Sequence, residues 1–175
     1  MAAANWTELD SVEKKYAFGV TWDAAAKTQG KFTVHKVKKD FDVGTLRDLS
    51  QSGWEGNIRW KPMTYSTWTF STGRLPGEAT IGNASFDTRY GINWEHAWSS
   101  LASTTASYNH TATDYQNNTG IAQSDKLRVL GLKFTYKWTP IVKVGAGYDR
   151  TDKTSTSATS EYKKRIWSIF LNADI

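Results

Sequence analysis

Several features that mark other protein classes are missing from this 175-residue sequence. It has no cysteine, which excludes a disulfide framework and thiol chemistry. It has no run of about 18 apolar residues, so a membrane-spanning helix is excluded. Residues 1–5 lack a basic segment followed by an apolar one, and no signal peptide is predicted there. The net charge is +5, but the lysines and arginines are scattered rather than arranged in a basic stripe, so we expect no nucleic-acid partner.

Aromatic residues, by contrast, are abundant. They make up 14% of the chain, with nine tryptophans and eight tyrosines, although the mean hydropathy is −0.57. A soluble β-sandwich is compatible with these values. A transmembrane β-barrel is also compatible, because its strands give a much weaker hydropathy signal than a membrane helix does.

Alternation of apolar and polar residues is the most informative pattern in the sequence. In residues 86–98, Tyr90 and Trp94 share one parity, whereas Asp87 and Arg89 share the other. A period of two places the two sets on opposite faces of a strand. One face is rich in aromatics, and the other is too polar for a packed core. The pattern therefore favours a sheet with lipid on one side and water on the other.

The same alternation recurs along the chain and predicts nine antiparallel strands. They are expected at residues 16–23, 31–41, 54–60, 67–71, 86–98, 102–113, 130–138, 142–149 and 164–175. Most are long enough for the roughly 9–11 residues that a tilted membrane strand needs. We therefore assign residues 16–175 to a β-barrel domain, with about 8–10 strands in this chain, and residues 1–15 to a poorly defined N-terminal segment.

The connections between the predicted strands alternate in length. Short turns are expected at residues 61–64, 99–100 and 139–140, and long polar loops at residues 72–85, 112–126 and 151–163. Short turns on one side and long loops on the other are typical of an up-and-down barrel in the bacterial outer membrane.

A tryptophan precedes each short turn: Trp60, Trp98 and Trp138. Tryptophan side chains at one level are expected at a membrane interface, where the apolar ring contacts lipid and the indole N–H remains hydrated. Core tryptophans near the hairpin turns of a soluble barrel are the alternative.

The parity of each strand also predicts which polar residues face the lumen. They are Glu55, Arg59, Lys61, Asp87, Arg89, Glu95, Lys133, Lys137, Lys143 and Asp149. The mixture is slightly basic and is compatible with a wet pore of weak anion preference. In a barrel of about eight strands, however, the interior is just wide enough for side chains, and the same residues would form a salt-bridged plug.

An odd number of strands leaves the first and the last pointing in the same direction. Direct closure between them would require a parallel junction. Either residues 4–13 supply a tenth strand, or the segment belongs to a larger barrel, because an open edge in lipid leaves backbone groups unsatisfied.

The residue types that carry out catalysis do not form a convincing constellation. His96 shares the parity of Trp94 and Trp98, and the neighbouring Ser99 and Ser100 lie in a tight turn, so a structural histidine is favoured over a Ser–His–carboxylate site. The acidic residues of the predicted loops lack the spacing of a Ca²⁺-binding loop. We therefore predict no catalytic residue, no metal ligand and no cofactor.

Three tracts carry a resemblance to a known family. They are GWEGNIRWKPMTYST at residues 53–67, GINWEHAW at residues 91–98 and EYKKRIWSIF at residues 161–170. Together they resemble the outer-membrane β-barrel proteins of bacterial exopolysaccharide gene clusters, of the EpsL-like, beta-barrel porin 2 kind. Members are usually much longer, so the chain is similar to their C-terminal part. The resemblance implies a conduit for a secreted polysaccharide.

The sequence thus predicts an all-β, antiparallel up-and-down transmembrane barrel in a bacterial outer membrane, which forms or supports a channel for polysaccharide export. The expected partners are membrane lipid, a polysaccharide, and a second copy or a missing barrel segment. The alternatives are a soluble barrel that binds a small ligand and, more remotely, a lipid-modifying barrel enzyme.

Overall fold

The computed structural model describes residues 11–24, 27–41, 49–77, 84–117 and 120–173. These residues form nine strands and one short 3-10 turn, Ala158–Ser160. The strands are β1 (Ser11–Ala24), β2 (Thr28–Phe41), β3 (Leu49–Met63), β4 (Ser66–Gly77), β5 (Ala84–Ala97), β6 (Ala102–Asn117), β7 (Gly120–Lys137), β8 (Val142–Ser155) and β9 (Tyr162–Ala173). In this part of the chain, no helix is long and apolar enough to cross a membrane.

The nine strands form a single sheet in sequence order, and each strand is antiparallel to its neighbours. This arrangement confirms the predicted all-β, up-and-down architecture. Within the described residues no pairing joins β1 to β9, so the sheet is open along these two edges. Because the number of strands is odd, β1 and β9 run in the same direction.

The cross-strand register assigns every paired residue to one of two faces. Directly opposed residues in an antiparallel sheet lie on the same face, and successive residues of one strand lie on opposite faces. Phe70, for example, lies opposite Ile58 on one side and opposite Ile92 on the other. The face that contains these three residues is called the apolar face, and the other face is called the polar face.

The apolar face carries a continuous band of large side chains. It contains Tyr16, Phe18, Val20, Trp22, Phe32, Val34, Trp54, Ile58, Trp60, Trp68, Phe70, Phe86, Tyr90, Ile92, Trp94, Tyr108, Leu130, Leu132, Phe134, Tyr136, Val144, Tyr148, Trp167, Ile169 and Leu171.

This band is not buried within the chain. Among the described residues, Val37 is the one buried hydrophobic side chain, whereas Phe18 is 73% exposed, Trp167 79% and Ile169 92%. A soluble sheet must bury its apolar face against a second layer. Here the described residues supply no such layer, so the face is available to an apolar surrounding.

The predicted long loops at residues 72–85, 112–126 and 151–163 are wrong in their extent. The strands continue through much of them: β4 reaches Gly77, β6 reaches Asn117, and β8 reaches Ser155. Polar cross-strand contacts support this extension, because Ser124 Oγ donates to Asp114 Oδ1 over 2.7 Å. A polar strand beyond the apolar band has the composition of a loop, and hydropathy alone does not separate the two.

The turn between β3 and β4 also differs from its prediction at residues 61–64. The strands are joined by Thr64 and Tyr65, since Met63 pairs with Ser66. The register shifts between Trp60 and Met63, where Pro62 has no N–H to donate to the sheet. Strand β3 therefore continues through a bulge at the proline instead of ending there.

Candidate pore-lining face and interface tryptophans

The polar face holds nine of the ten polar residues predicted to face the lumen. By register these are Glu55, Arg59, Asp87, Arg89, Glu95, Lys133, Lys137, Lys143 and Asp149. Lys61 is different, because it lies in the bulge and has no directly opposed partner in β4. Its backbone N–H donates to the carbonyl of Lys27 over 2.7 Å.

Several of these residues have polar partners on the same face. Arg89 Nη2 and Asp87 Oδ2 form an ion pair at 2.6 Å, and Thr113 Oγ1 donates to the other Asp87 oxygen over 2.7 Å. Glu95 accepts a hydrogen bond from Asn93 over 3.0 Å. Lys137 and Lys143 lie directly opposite each other on β7 and β8. The charges are therefore distributed over the face and do not converge at a single point.

Small polar residues and glycines occupy the middle of the polar face. They are Asn57, Thr69, Ser71, Gly91, Asn93, Thr105, Ser107, Asn109, Gly131, Thr135, Gly145 and Gly147. These side chains reach a short distance from the backbone and present hydroxyl and amide groups. The middle of the face is consequently rich in neutral hydrogen-bonding groups, and the charged residues Arg59, Lys133 and Asp149 lie among them.

Two shallow depressions lie on this face. One, of about 340 Å³, is lined in part by Lys31, Glu55 and Arg89 on β2, β3 and β5. The other, of about 490 Å³, is lined in part by Lys133, Asp149 and Phe170 on β7 to β9. Each combines charged groups with hydroxyl or amide side chains.

Phe170 and Lys133 form a contact that the sequence did not indicate. Lys133 Nζ lies 4.3 Å from the centre of the Phe170 ring, within the range of a cation–π interaction. Phe170 itself lies opposite Gly145, where the absence of a side chain leaves room for the ring. An aromatic side chain that covers a glycine of the neighbouring strand is a known stabilising arrangement in sheets.

A hydrogen-bonded cluster on the polar face lies beyond the apolar band, toward the hairpin that joins β6 to β7. Asp125 pairs with Lys153 Nζ at 2.9 Å and accepts hydrogen bonds from Ser155 at 2.5 Å and Gln123 at 2.9 Å. Burial raises the pKa of the Asp125 carboxyl, but the hydrogen bonds from Ser155, Lys153 and Gln123 outweigh it, and the net pKa is lowered. The hydrogen bond with Asp125 raises the pKa of Lys153.

Sequence reasoning missed several members of this face: Lys31, Asp125, Lys153 and Phe170. Lys31 could have been found, because it has the parity of the polar residues of β2. Asp125 and Lys153 fell in predicted loops, so no parity was assigned to them. The contact of Phe170 with Lys133 depends on the register of β9, which no local pattern gives.

The three predicted interface tryptophans lie close to the ends of β3, β5 and β7. Trp98 and Trp138 follow directly after β5 and β7, and Trp60 lies three residues before the end of β3. All three side chains are exposed. Trp98 donates its indole N–H to Thr104 over 2.8 Å. The three side chains have the exposure expected of an aromatic girdle. The girdle itself stays a prediction for these residues.

His96 belongs to an aromatic cluster at the same end of the sheet. Its ring centre lies 4.2 Å from that of Trp98 and 5.2 Å from that of Trp94. The ring of Tyr65 packs against it edge to face at 5.4 Å. His96 thus packs against two indoles and a phenol ring. Within the described residues there is also no group of three histidine or acidic side chains that could hold a metal ion.

An antiparallel up-and-down sheet, with one continuous apolar band and one polar face, is the arrangement typical of transmembrane β-barrel proteins of the outer-membrane type. The model of the family described as "Putative beta-barrel porin 2" matches residues 2–173, and the chain belongs to that family. A comparison with curated proteins found no match.

Among solved structures, the siderophore receptor PirA from Pseudomonas aeruginosa is similar to this chain, with a TM-score of 0.59 and 14% sequence identity. The similarity covers 93% of this chain and 32% of the receptor, so the chain spans about a third of the receptor's length. At this identity the likeness concerns the fold: the nine-stranded sheet follows part of a β-barrel wall.

Proposed function

We propose that this chain forms part of the wall of an outer-membrane channel through which an exopolysaccharide is exported. The apolar face contacts lipid, and the polar face lines the channel. The observation that carries the proposal is the middle of the polar face, where hydroxyls, amides and glycines predominate among a few charged side chains. A polysaccharide is hydrated and rich in hydroxyl groups, and such a surface exchanges hydrogen bonds with it without holding it at one place.

The same observation favours a pore over a salt-bridged plug. A plug requires long, paired charges that meet across the lumen. Two ion pairs that the described part of the polar face contains are Arg89 with Asp87 and Lys153 with Asp125. One joins residues two apart on β5, and the other lies beyond the apolar band. Neither fills the middle of the face. We propose no enzymatic activity, and neither a nucleic-acid partner nor a cofactor.

Further strands complete the barrel in this proposal, supplied by a second copy or by another barrel segment. Edge strands in lipid would expose unsatisfied N–H and C=O groups, at several kcal/mol for each group. Since β1 and β9 run in the same direction, direct pairing between them would be parallel. A further barrel segment with an odd number of strands restores antiparallel pairing throughout, whereas a second copy in the same orientation would join this one through parallel pairs.

Conductance in a planar bilayer tests the channel. Two neighbouring residues of β6 provide a matched pair, because Ser107 lies on the polar face and Ala106 on the apolar face. Ser107→Trp should lower the single-channel conductance, whereas Ala106→Trp should leave it unchanged. A protein that gives no current steps would overturn the open channel, and equal effects of the two variants would overturn the assignment of the lumen.

The assignment of a polysaccharide as the transported polymer is tested with soluble polymers in the same conductance measurement. Dextran should interrupt the current for longer than polyethylene glycol of equal hydrodynamic size, because only dextran carries a dense set of hydroxyl groups. Equal interruption times for the two polymers would contradict the polysaccharide assignment and leave the channel itself intact.

A further inference from the structure

The apolar face carries positive charge beyond its apolar band, at the end of the sheet where β2 is joined to β3, β4 to β5, β6 to β7 and β8 to β9, which is called the long-hairpin side. By register these residues are Lys14, Lys36, Lys38, Arg74, Lys126, Arg128, Arg150, Lys163 and Arg165. They share a face with the aromatic and aliphatic band and not with the polar face. Their positions are therefore unrelated to the proposed channel lining.

The charges are most concentrated where β7, β8 and β9 lie side by side. Arg150 is directly opposite Arg165, and Asp152 is flanked by Arg128 on one side and Lys163 on the other. These five residues form the β7–β9 basic cluster. Four cations thus surround one carboxylate, which already pairs with Arg150 Nε at 2.9 Å.

Two arginines in directly opposed positions repel each other. Directly opposed side chains in a sheet have their Cβ atoms about 4.5–5.5 Å apart, and like charges there are destabilising. Asp152 offsets one positive charge of the cluster at most. The Arg150 side chain is 44% exposed, so it is accessible to an anion from outside the chain. An external anion between the two guanidinium groups would remove the repulsion.

The next residues toward the apolar band are aromatic. Tyr148 and Trp167 lie directly opposite each other, with ring centres 4.4 Å apart, one step along the face from Arg150 and Arg165. Ile169 and Leu171 follow on β9, and both are strongly exposed. The order along this face is therefore cations, then an aromatic pair, then exposed aliphatic side chains. A lipid has the matching order of charged headgroup, interfacial region and acyl chains.

We propose that the β7–β9 basic cluster binds a lipid that carries more than one phosphate on its headgroup, in the leaflet on the long-hairpin side. The arginines contact the phosphates, for which the planar guanidinium is well suited. The acyl chains lie along Trp167, Ile169 and Leu171. The excess of positive charge favours a multiply charged headgroup over one with a single phosphate.

The binding of lipid A to the detergent-solubilised protein, measured by native mass spectrometry, tests the site. Arg165→Ala and Lys164→Ala form a matched pair, because they remove the same charge from adjacent residues of β9 on opposite faces. Arg165→Ala should weaken lipid A binding by about fivefold, which corresponds to ~1 kcal/mol per cation near a charged membrane surface. Lys164→Ala should leave binding unchanged. Arg150→Ala should resemble Arg165→Ala. Circular dichroism shows whether each variant is folded.

Three results would overturn the lipid assignment, and a fourth would replace the lipid with a protein partner. One is an equal loss of binding in Arg165→Ala and Lys164→Ala. Another is equal affinity for lipid A, its monophosphorylated form and phosphatidylglycerol, since the charge excess would then have no role. The last is competition by inorganic phosphate at concentrations equal to that of lipid A, which would indicate a site for soluble anions. Protein oligomers that form without lipid and dissociate on Arg165→Ala would identify a protein contact instead.

Discussion

The ring of Phe170 on β9 occupies the space in which a side chain of Gly145 on β8 would stand. A Cβ atom at Gly145 would overlap both this ring and the backbone carbonyl oxygen of Phe134. At Gly147, two residues along the same strand, the nearest atom is the hydroxyl of Ser168 at 2.6 Å, which can rotate away. The two glycines thus have different tolerances for a side chain, although they lie on the same face.

Gly145→Ala should therefore destabilise the protein, by roughly 1–3 kcal/mol, because the added methyl group overpacks the site between a ring and a carbonyl. Gly147→Ala is the matched control and should cost less. Urea unfolding in detergent micelles, followed by tryptophan fluorescence, measures both. Equal losses of unfolding free energy would show that Phe170 does not constrain Gly145.

A charge on the apolar face should be much more costly than one on the polar face. Phe134 and Thr135 are neighbours on β7 with opposite orientations. Phe134→Arg should lower the unfolding free energy by roughly 2–4 kcal/mol if the position meets lipid near the middle of the bilayer. Thr135→Arg should have a small effect. Folding equilibria in lipid vesicles provide the measurement, and similar values for the two variants would contradict the assignment of faces.

The hydrogen-bonded cluster around Asp125 should make the stability of the protein depend on pH. The pKa of the Asp125 carboxyl is lowered in the folded chain. Its contribution to the free energy of unfolding is therefore fully present above the unfolded pKa of 3.8 and is lost as the pH falls through the folded pKa. Asp125→Asn should lower the unfolding free energy at pH 7 by roughly 1–3 kcal/mol, because Lys153 loses its charged partner.

The difference between the parent protein and Asp125→Asn should shrink as the pH falls below 3.8. Unfolding curves at several pH values measure it. Lys153→Met is the companion variant, and the two substitutions should be strongly non-additive when combined. A difference that stays constant from pH 7 to pH 2 would rule out the ionised carboxylate as the stabilising group.

Trp138 should lie at the level of the lipid headgroups. It follows β7 directly and is 70% exposed, whereas Trp94 lies within β5 and donates its indole N–H to Ser66 over 3.0 Å. Lipids brominated close to the headgroup should quench Trp138 more than lipids brominated near the ends of the acyl chains. The contribution of Trp138 is obtained by subtracting the fluorescence of Trp138→Phe from that of the parent protein, with Trp94→Phe as the comparison. Stronger quenching from the chain ends would contradict the girdle.

The number of strands and the two faces could be predicted from the sequence. The parity of Tyr90 and Trp94 against Asp87 and Arg89 is a local property, because successive side chains of a strand alternate whatever the strand pairs with. Lys61 is an exception, because local parity does not reveal a bulge. The parity of β3, extended one residue past Trp60, assigned Lys61 to the lumen, whereas the pairing with β4 is interrupted between Trp60 and Met63 by a bulge.

The alternation of residue types in the sequence determined the class of protein: a sheet of long antiparallel strands with one apolar and one polar face. Only the tertiary structure decided which residues of different strands meet. The opposition of Arg150 and Arg165, the contact of Lys133 with Phe170 and the ion pair of Lys153 with Asp125 all depend on register. Register is set by turns and bulges together with the pairing of whole strands, so it is a property of the assembled sheet and not of any one segment.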